Sequence, residues 1–256
     1  MALCSSTQAH AGAWLQPEGR GYKAAQASYF SGDVFFDASG AQQSQPRFSK
    51  IEANYYAEYG ALNWLTVGGN FFVNRASQSG QHNIGIADSE LFAKLPLLTY
   101  DGWVSSVQPL IKLPSQYQDN HALRAGSRST DLELSLLTSK PYPLLSDHDF
   151  LDSRIGYRIR SRGLASQWRT DIAYTMYLTD ALAIIPAYRT ILTTEINDGT
   201  TFRQDGEQDF DLHRIELGVS WKMDEKTTLL AAAFSHIAGV NAGGGHGITL
   251  GAGWNF

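Results

Sequence analysis

Charged side chains alternate with apolar residues along two neighbouring segments in the middle of the chain. In FLDSRIGYRIRSR, one acidic and four basic residues share one parity and apolar residues hold most of the other, and in STDLELSLLT two carboxylates oppose a row of leucines. A buried charge needs a partner of opposite sign, which neighbouring strands can supply if their charged faces coincide. These residues, with a later pair in HRIELGVSWK, are Asp131, Glu133, Asp152, Arg154, Arg158, Arg160, Arg162, Arg214 and Glu216.

Such a set of charges has two possible roles inside an enclosed lumen. The side chains can bias passage toward polar or anionic groups of a solute, or they can neutralise one another and brace the wall. The alternative is a soluble or adhesive all-β protein, in which the same charges are solvated on the outside. Asp147, His148 and Asp149 form a conceivable weak cation site, but the same arrangement is typical of a solvated turn, so we expect neither a metal nor a cofactor.

A second group of residues has the types needed for nucleophilic catalysis. The segment FSHIAGVNAGGGHG contains Ser235, His236, Asn241 and His246, and a serine activated by a histidine is the usual hydrolase nucleophile. Adjacent residues of a strand point to opposite faces, however, so Ser235 and His236 cannot pair directly. A barrel lipid hydrolase is therefore the alternative function and not the preferred one.

The elements that carry these residues are strands, because apolar residues recur at every second position almost throughout the chain. Ile215, Leu217, Val219 and Trp221 show this spacing clearly. This two-residue period of apolar residues predicts about twelve strands, at residues 20–30, 47–60, 63–75, 82–95, 102–113, 128–138, 150–162, 165–179, 181–196, 207–222, 226–238 and 245–256.

The connections between these strands largely alternate between short and long. Tight turns follow the second, eighth and tenth strands, whereas longer loops rich in Gly, Ser, Gln and Asn are expected at 31–46, 76–81, 114–127, 197–206 and 239–244. In an up-and-down barrel every second connection lies at the same end, and outer-membrane barrels have short periplasmic turns and long external loops. The sequence therefore predicts an all-β fold, a closed antiparallel up-and-down transmembrane β-barrel of about 12 strands.

The apolar face of these strands is predicted to contact lipid. Five tryptophans lie near strand ends, where the aromatic belts of a membrane barrel occur: Trp64, Trp103, Trp168, Trp221 and Trp254. The apolar run from 181 to 187 is far shorter than a membrane helix needs. A net charge of −5 without a basic segment gives no electrostatic case for nucleic acid.

The two ends of the chain suggest export and assembly in the outer membrane. The tripeptide Ala9–Ala11 fits a signal-peptidase site, so residues 1–11 are interpreted as the remnant of a signal peptide and 12–256 as the barrel, although such a tripeptide also arises by chance. The alternating ending GITLGAGWNF resembles the assembly signal of bacterial outer-membrane proteins, which implies recognition of Phe256 by the barrel-assembly machinery.

The segment GAWLQPEGRG, residues 12–21, is similar to the mature N-terminus of the outer-membrane proteins named after the meta-pathway of phenol degradation. Chain length, strand number and the final Phe256 agree with that resemblance, which implies a channel for small hydrophobic or aromatic molecules. We therefore expect a channel in the bacterial cell outer membrane that takes up such molecules passively. Its expected partners are outer-membrane lipid and lipopolysaccharide, the assembly machinery and a small solute, but no nucleic acid.

Overall fold

The computed structural model describes residues 12–115, 123, 126–127, 129–195 and 209–256. Within these ranges the chain forms thirteen antiparallel strands. They are β1 (Gly21–Phe36), β2 (Gln42–Leu62), β3 (Leu65–Gln78), β4 (Gln81–Ile86), β5 (Ser89–Tyr100), β6 (Trp103–Leu113), β7 (Asp131–Pro141), β8 (Phe150–Arg160), β9 (Gln167–Tyr177), β10 (Leu182–Thr193), β11 (Asp211–Lys222), β12 (Thr227–Val240) and β13 (Ala242–Asn255).

The strands form a closed up-and-down barrel with twelve strand positions, as the period of the sequence predicts. Apart from β4 and β5, which both pair with β3, each strand pairs with its neighbours in the chain, and β1 pairs with both β2 and β13, which removes both edges of the sheet. A barrel closed in this way satisfies its backbone hydrogen bonds internally, which lipid requires. The backbones of β1 and β13 approach each other closely where the barrel closes. A Cβ on Gly32 would lie 1.9 Å from the carbonyl oxygen of Gly244.

The single strand predicted at 82–95 consists of two pieces, β4 and β5, which share one position in the barrel. Both pair with β3, with Val73 opposite Ile86 and Asn70 opposite Glu90, so three steps on β3 match four steps on its partner. One extra residue of this kind is a β-bulge. The interruption coincides with Asp88, whose side chain accepts hydrogen bonds from loop backbone.

Three of the predicted long loops are largely strand, and in residues 76–81 only 79–80 lie outside β3 and β4. Residues 31–46 contain the end of β1 and the start of β2, joined by a turn at 37–41, and residues 239–244 contain only Asn241 outside β12 and β13. The polar composition of these segments was misleading because strands continue beyond the apolar zone as a hydrogen-bonded rim. The expected loops at 114–127 and 197–206 lie mostly outside the described residues.

We call the end of the barrel that carries the start of β1 the proximal end and the opposite end the distal end. Proximal connections between strands are short at 63–64, 101–102, 178–181 and 223–226, and the connection at 142–149 is the longer exception. Short turns are the periplasmic ones in outer-membrane barrels. The proximal end therefore corresponds to the periplasmic side.

The outer surface of the barrel is apolar, which reverses the arrangement of a soluble protein. Outward side chains such as Leu132, Leu217 and Leu250 are more than half exposed. Trp64, Trp103 and Trp221 are exposed at the proximal end and Trp168 near the distal end, as expected for interfacial belts. An exposed apolar band of this extent rules out the soluble or adhesive alternative. Within the described ranges, no helix is long and apolar enough to cross a bilayer.

Phe256 lies at the point where the barrel closes. Its backbone exchanges two hydrogen bonds of 2.9 Å with Gly21, and its ring is 5.5 Å from the ammonium of Lys23. The ring itself is 55% exposed at the proximal rim. It is therefore accessible from the proximal end.

Candidate functional site

The centre of the lumen is occupied by a charge network around Glu133. The Glu133 side chain is fully buried, and its carboxylate accepts hydrogen bonds from Arg154, from Arg158 Nε at 2.6 Å and from Ser135 Oγ at 2.7 Å. Arg158 also contacts Glu90 Oε1 at 2.7 Å. The inward parity of β7 and β8 brings these side chains together because Glu133 and Arg158 are directly opposite in the register. Two arginines thus share the carboxylate of Glu133, and one of them, Arg158, also pairs with the carboxylate of Glu90.

Three other predicted residues form ion pairs or hydrogen bonds elsewhere along the wall. Asp131 accepts from Lys112 Nζ at 2.8 Å, Arg160 contacts Asp209 at 3.0 Å, and Asp152 accepts a short hydrogen bond from Ser139. Asp131 and Asp152 are buried, so their contacts form away from bulk water.

The remaining predicted residues divide between the lumen and the rim. Arg214 and Glu216 form a close ion pair on β11, and Arg189 Nη2 reaches Glu216 Oε1 at 3.1 Å. Arg162, predicted to line the lumen, instead lies exposed in the turn after β8 with a φ of 63°. The strand ends at Arg160, so the alternation no longer decides where Arg162 points.

Residues 12–17 cross the proximal end of the lumen and form a segment that we call the floor. Ala13 is completely buried against Val104 and Leu137, and its N–H donates to Ser139 Oγ at 3.0 Å. Gln16 on the other side donates through Nε2 to Glu58 Oε1 at 2.6 Å.

Lys94 fixes the middle of the floor. Its ammonium donates to the carbonyl oxygens of Gly12 at 2.9 Å and Trp14 at 3.1 Å, and contacts Glu58 Oε2 at 3.2 Å. Lys94 is 1% exposed, so these bonds form away from bulk water. The floor narrows the proximal end of the lumen.

Above the floor lie two adjoining spaces. One, of about 430 Å³, runs between the arginines of β8 and β9 and the small residues of β11 to β13, including Gly218, Ala232 and Thr249. The other, of about 400 Å³, lies toward the distal end and is lined by rings and charged groups; we call it the distal aromatic pocket. Its main residues are Phe30, Phe48, Lys50, Arg214, Phe234 and His236.

Several residues of the lumen were absent from the sequence-based set. Glu90, Lys94 and Lys112 take part in the networks around Glu133, the floor and Asp131. The bulge before β5 obscured the alternation that would have identified Glu90 and Lys94. Arg169 lies 4.0 Å from Glu133, and its strand pattern already placed it on the polar face.

The geometry gives no support to the hydrolase alternative. Ser235 Oγ donates to the carbonyl of Gly245, and His236 Nδ1 lies 3.0 Å from the carbonyl oxygen of Gly243. The two side chains thus use different backbone partners and do not form a nucleophile–base pair.

The carboxylate of Asp149, considered above as part of a cation site, serves a different purpose. It accepts backbone N–H groups of Leu144, Leu145, Ser146 and Tyr177 at 2.6–3.2 Å. Burial tends to raise its pKa, but these four donors outweigh that effect and hold the pKa at about 2. Asp149 therefore organises the connection between β7 and β8.

Comparisons with known proteins give matches in structure but not in sequence. No protein-family model and no curated protein sequence matches the chain. An outer-membrane channel from Pseudomonas putida F1 superposes with a TM-score of 0.76 at 15% identity, over 94% of this chain and 97% of that one. The translocator domain of the autotransporter NalP from Neisseria meningitidis has a TM-score of 0.56 at 14% identity, covering 94% and 91% of the two chains. The NanC porin also scores 0.56, at 12% identity and 91% and 98% coverage.

The closed barrel, its apolar belt and these similarities define an outer-membrane β-barrel protein. Its lumen carries paired charges, a floor of chain and an aromatic pocket. The fold is shared with a channel, a porin and a translocator, so the fold alone does not determine the function. The residues that line the lumen provide the evidence for it.

Proposed function

We propose that the protein is a narrow passive channel for small, hydrophobic or aromatic molecules, as its resemblance to the family named after the meta-pathway of phenol degradation implies. The observation that carries the proposal is that two lumenal spaces adjoin, with Ser28, Glu52, Arg214 and His236 lining both of them. A solute that enters the distal aromatic pocket therefore lies next to the space beside the Glu133 network.

The size of the barrel supports a restricted path. Eight strands leave an interior filled by side chains, whereas sixteen to eighteen leave a wide aqueous channel. Twelve positions lie between these cases, and Arg154, Arg158 and Glu133 occupy much of the central section. The paired charges bridge β5, β7, β8 and β9 and so also brace the wall against deformation. In this proposal outer-membrane lipid and lipopolysaccharide surround the apolar belt, and the chain acts without catalysis.

Planar-bilayer recording tests the proposal directly. We expect discrete single-channel currents well below those of a general porin, and uptake of small aromatic compounds into liposomes that exceeds uptake of sugars of similar mass. Heat-modifiable gel migration checks that the protein is correctly folded. The absence of any current across bilayers that contain such protein would contradict the channel function. In the producing bacterium, deletion of the gene should slow growth on aromatic carbon sources.

A further inference from the structure

The rings of the distal aromatic pocket form a cluster toward the distal end of the lumen. The Phe30 and Phe234 ring centroids are 6.1 Å apart with 5° between the planes, and Phe48 lies 6.2 Å from Phe30 at 55°. His236 approaches Phe30 at 4.7 Å. Aromatic pairs favour offset and tilted contacts of this kind, so a ligand ring that enters the pocket gains the same contacts.

The cluster depends on a missing side chain on β13. A Cβ on Gly247 would lie 2.2 Å from the Phe234 ring, so only glycine lets Phe234 lie flat against the strand. The pocket is therefore formed by residues of the strands in the barrel wall and not by a gap between loops.

Positive groups lie beside the rings. The guanidinium carbon of Arg214 is 3.6 Å from the Phe234 ring centroid, and Lys50 Nζ lies 2.9 Å from Glu52. The Lys50 side chain is 36% exposed, so its ion pair with Glu52 is weak and can be exchanged.

One donor of Arg214 has no acceptor. Its terminal nitrogen Nη2 pairs with Glu216, but Nε is buried and forms no hydrogen bond among the described residues. A buried donor without an acceptor is costly, and a charged acceptor that reaches it gains a strong hydrogen bond.

We infer that the distal aromatic pocket binds a small aromatic carboxylate. Its ring lies among Phe30, Phe48 and Phe234, and its carboxylate pairs with the guanidinium of Arg214 and accepts from Lys50 Nζ. The space of about 400 Å³ accommodates a single-ring acid. The inference rests on the proposed channel function, since it identifies the class of solute that the channel admits.

The test is calorimetric binding of benzoate to the purified full chain in detergent micelles. Cyclohexanecarboxylate keeps the charge without the aromatic ring, and benzylamine keeps the ring but reverses the charge; each should bind at least about tenfold more weakly. Arg214→Gln and Lys50→Met should each weaken benzoate binding about tenfold, as should Phe234→Leu, whereas the matched controls Arg47→Gln at the rim and Phe71→Leu on the lipid face should leave it unchanged. Lys50→Met covers the case in which Arg214→Gln does not fold.

Each result has a defined meaning. Absence of benzoate binding, equal binding of all three compounds, or equal effects of the pocket and control variants would overturn the inference. Conductance is recorded on the same preparations. A protein that conducts but does not bind benzoate loses this inference and keeps the channel function, whereas one that binds with the expected pattern but does not conduct loses the channel function and keeps the pocket.

Discussion

Replacing Lys94 with methionine tests whether the floor is held by a single buried ammonium. Methionine has a similar length and no charge, so the change removes the hydrogen bonds to Gly12 and Trp14 and the ion pair with Glu58 without opening a large cavity. Glu58 keeps its contacts with Gln16 at 2.6 Å and Tyr56 at 2.8 Å, but its charge loses its cationic partner in a buried position.

The expected cost follows from that unpaired charge. Breaking a buried ion pair by removing one partner destabilises a protein by about 3–5 kcal/mol, and we expect a loss of this size in the free energy of unfolding. The double variant Lys94→Met/Glu58→Gln should recover part of it, giving a coupling energy of about 1–3 kcal/mol between the two sites. Lys226→Met, in an exposed proximal turn, is the control and should change stability by less than about 0.5 kcal/mol.

Urea unfolding in detergent micelles, followed by tryptophan fluorescence, gives these free energies, and bilayer recording of the same variants shows the effect on the lumen. Because Lys94 bridges the two carbonyls of the floor, the single variant should also show a larger unit conductance than the unsubstituted protein. A Lys94→Met protein no less stable than the Lys226→Met control, or stability changes that simply add in the double variant, would refute the role assigned to the pair. An unchanged conductance would refute the assignment of residues 12–17 as a floor.

Four further outcomes are expected. Glu133→Gln leaves Arg154 and Arg158 without their shared carboxylate, so the reversal potential in a salt gradient should shift toward anion selectivity. An unchanged reversal potential would show that these charges do not line the path of the ions. Asp149→Asn removes a carboxylate whose pKa is held at about 2, below the ordinary value of about 3.9. The stability advantage of the wild-type protein over the variant should therefore be full above about pH 5, shrink as the pH falls below the ordinary value, and be lost as the pH falls through 2. Urea unfolding at pH 6 and pH 2.5 measures this, and an advantage as large at pH 2.5 as at pH 6 would count against it. Deleting Phe256 should lower the yield of heat-modifiable, outer-membrane-inserted protein, whereas the same deletion should have little effect on refolding into micelles, where no assembly machinery acts. Mass spectrometry of protein isolated from the outer membrane should give a chain that begins at Gly12, and a mass that includes residues 1–11 would contradict the proposed leader.

Alternation in the sequence was sufficient to predict the barrel and the side of each central charge. It works where a strand has lipid on one face and the lumen on the other, as in β7 and β8, because each position is then forced toward one environment. Asp131, Glu133, Arg154 and Arg158 all lie where the parity placed them.

The same argument fails where one of the two environments is missing. Beyond the bilayer, residues 31–36 and 42–46 form strand with no lipid to select apolar side chains, and their polar composition predicted a loop. The bulge at 87–88 shifts parity by one residue, which concealed Glu90 and Lys94. The floor could not be predicted at all, since its contacts with Ser139 and Thr66 join residues that only the closed barrel brings together.

Closure through β1 and β13 also determines when the molecule can finish folding. These two strands are the most distant in sequence, and pairings across such separations form slowly because the loop between them must first be ordered. Until they meet, the sheet has two unpaired edges able to recruit other chains. Their many glycines offer little side-chain contact to hold an early encounter together. The vulnerable species is therefore a nearly complete sheet whose two edges have not yet paired.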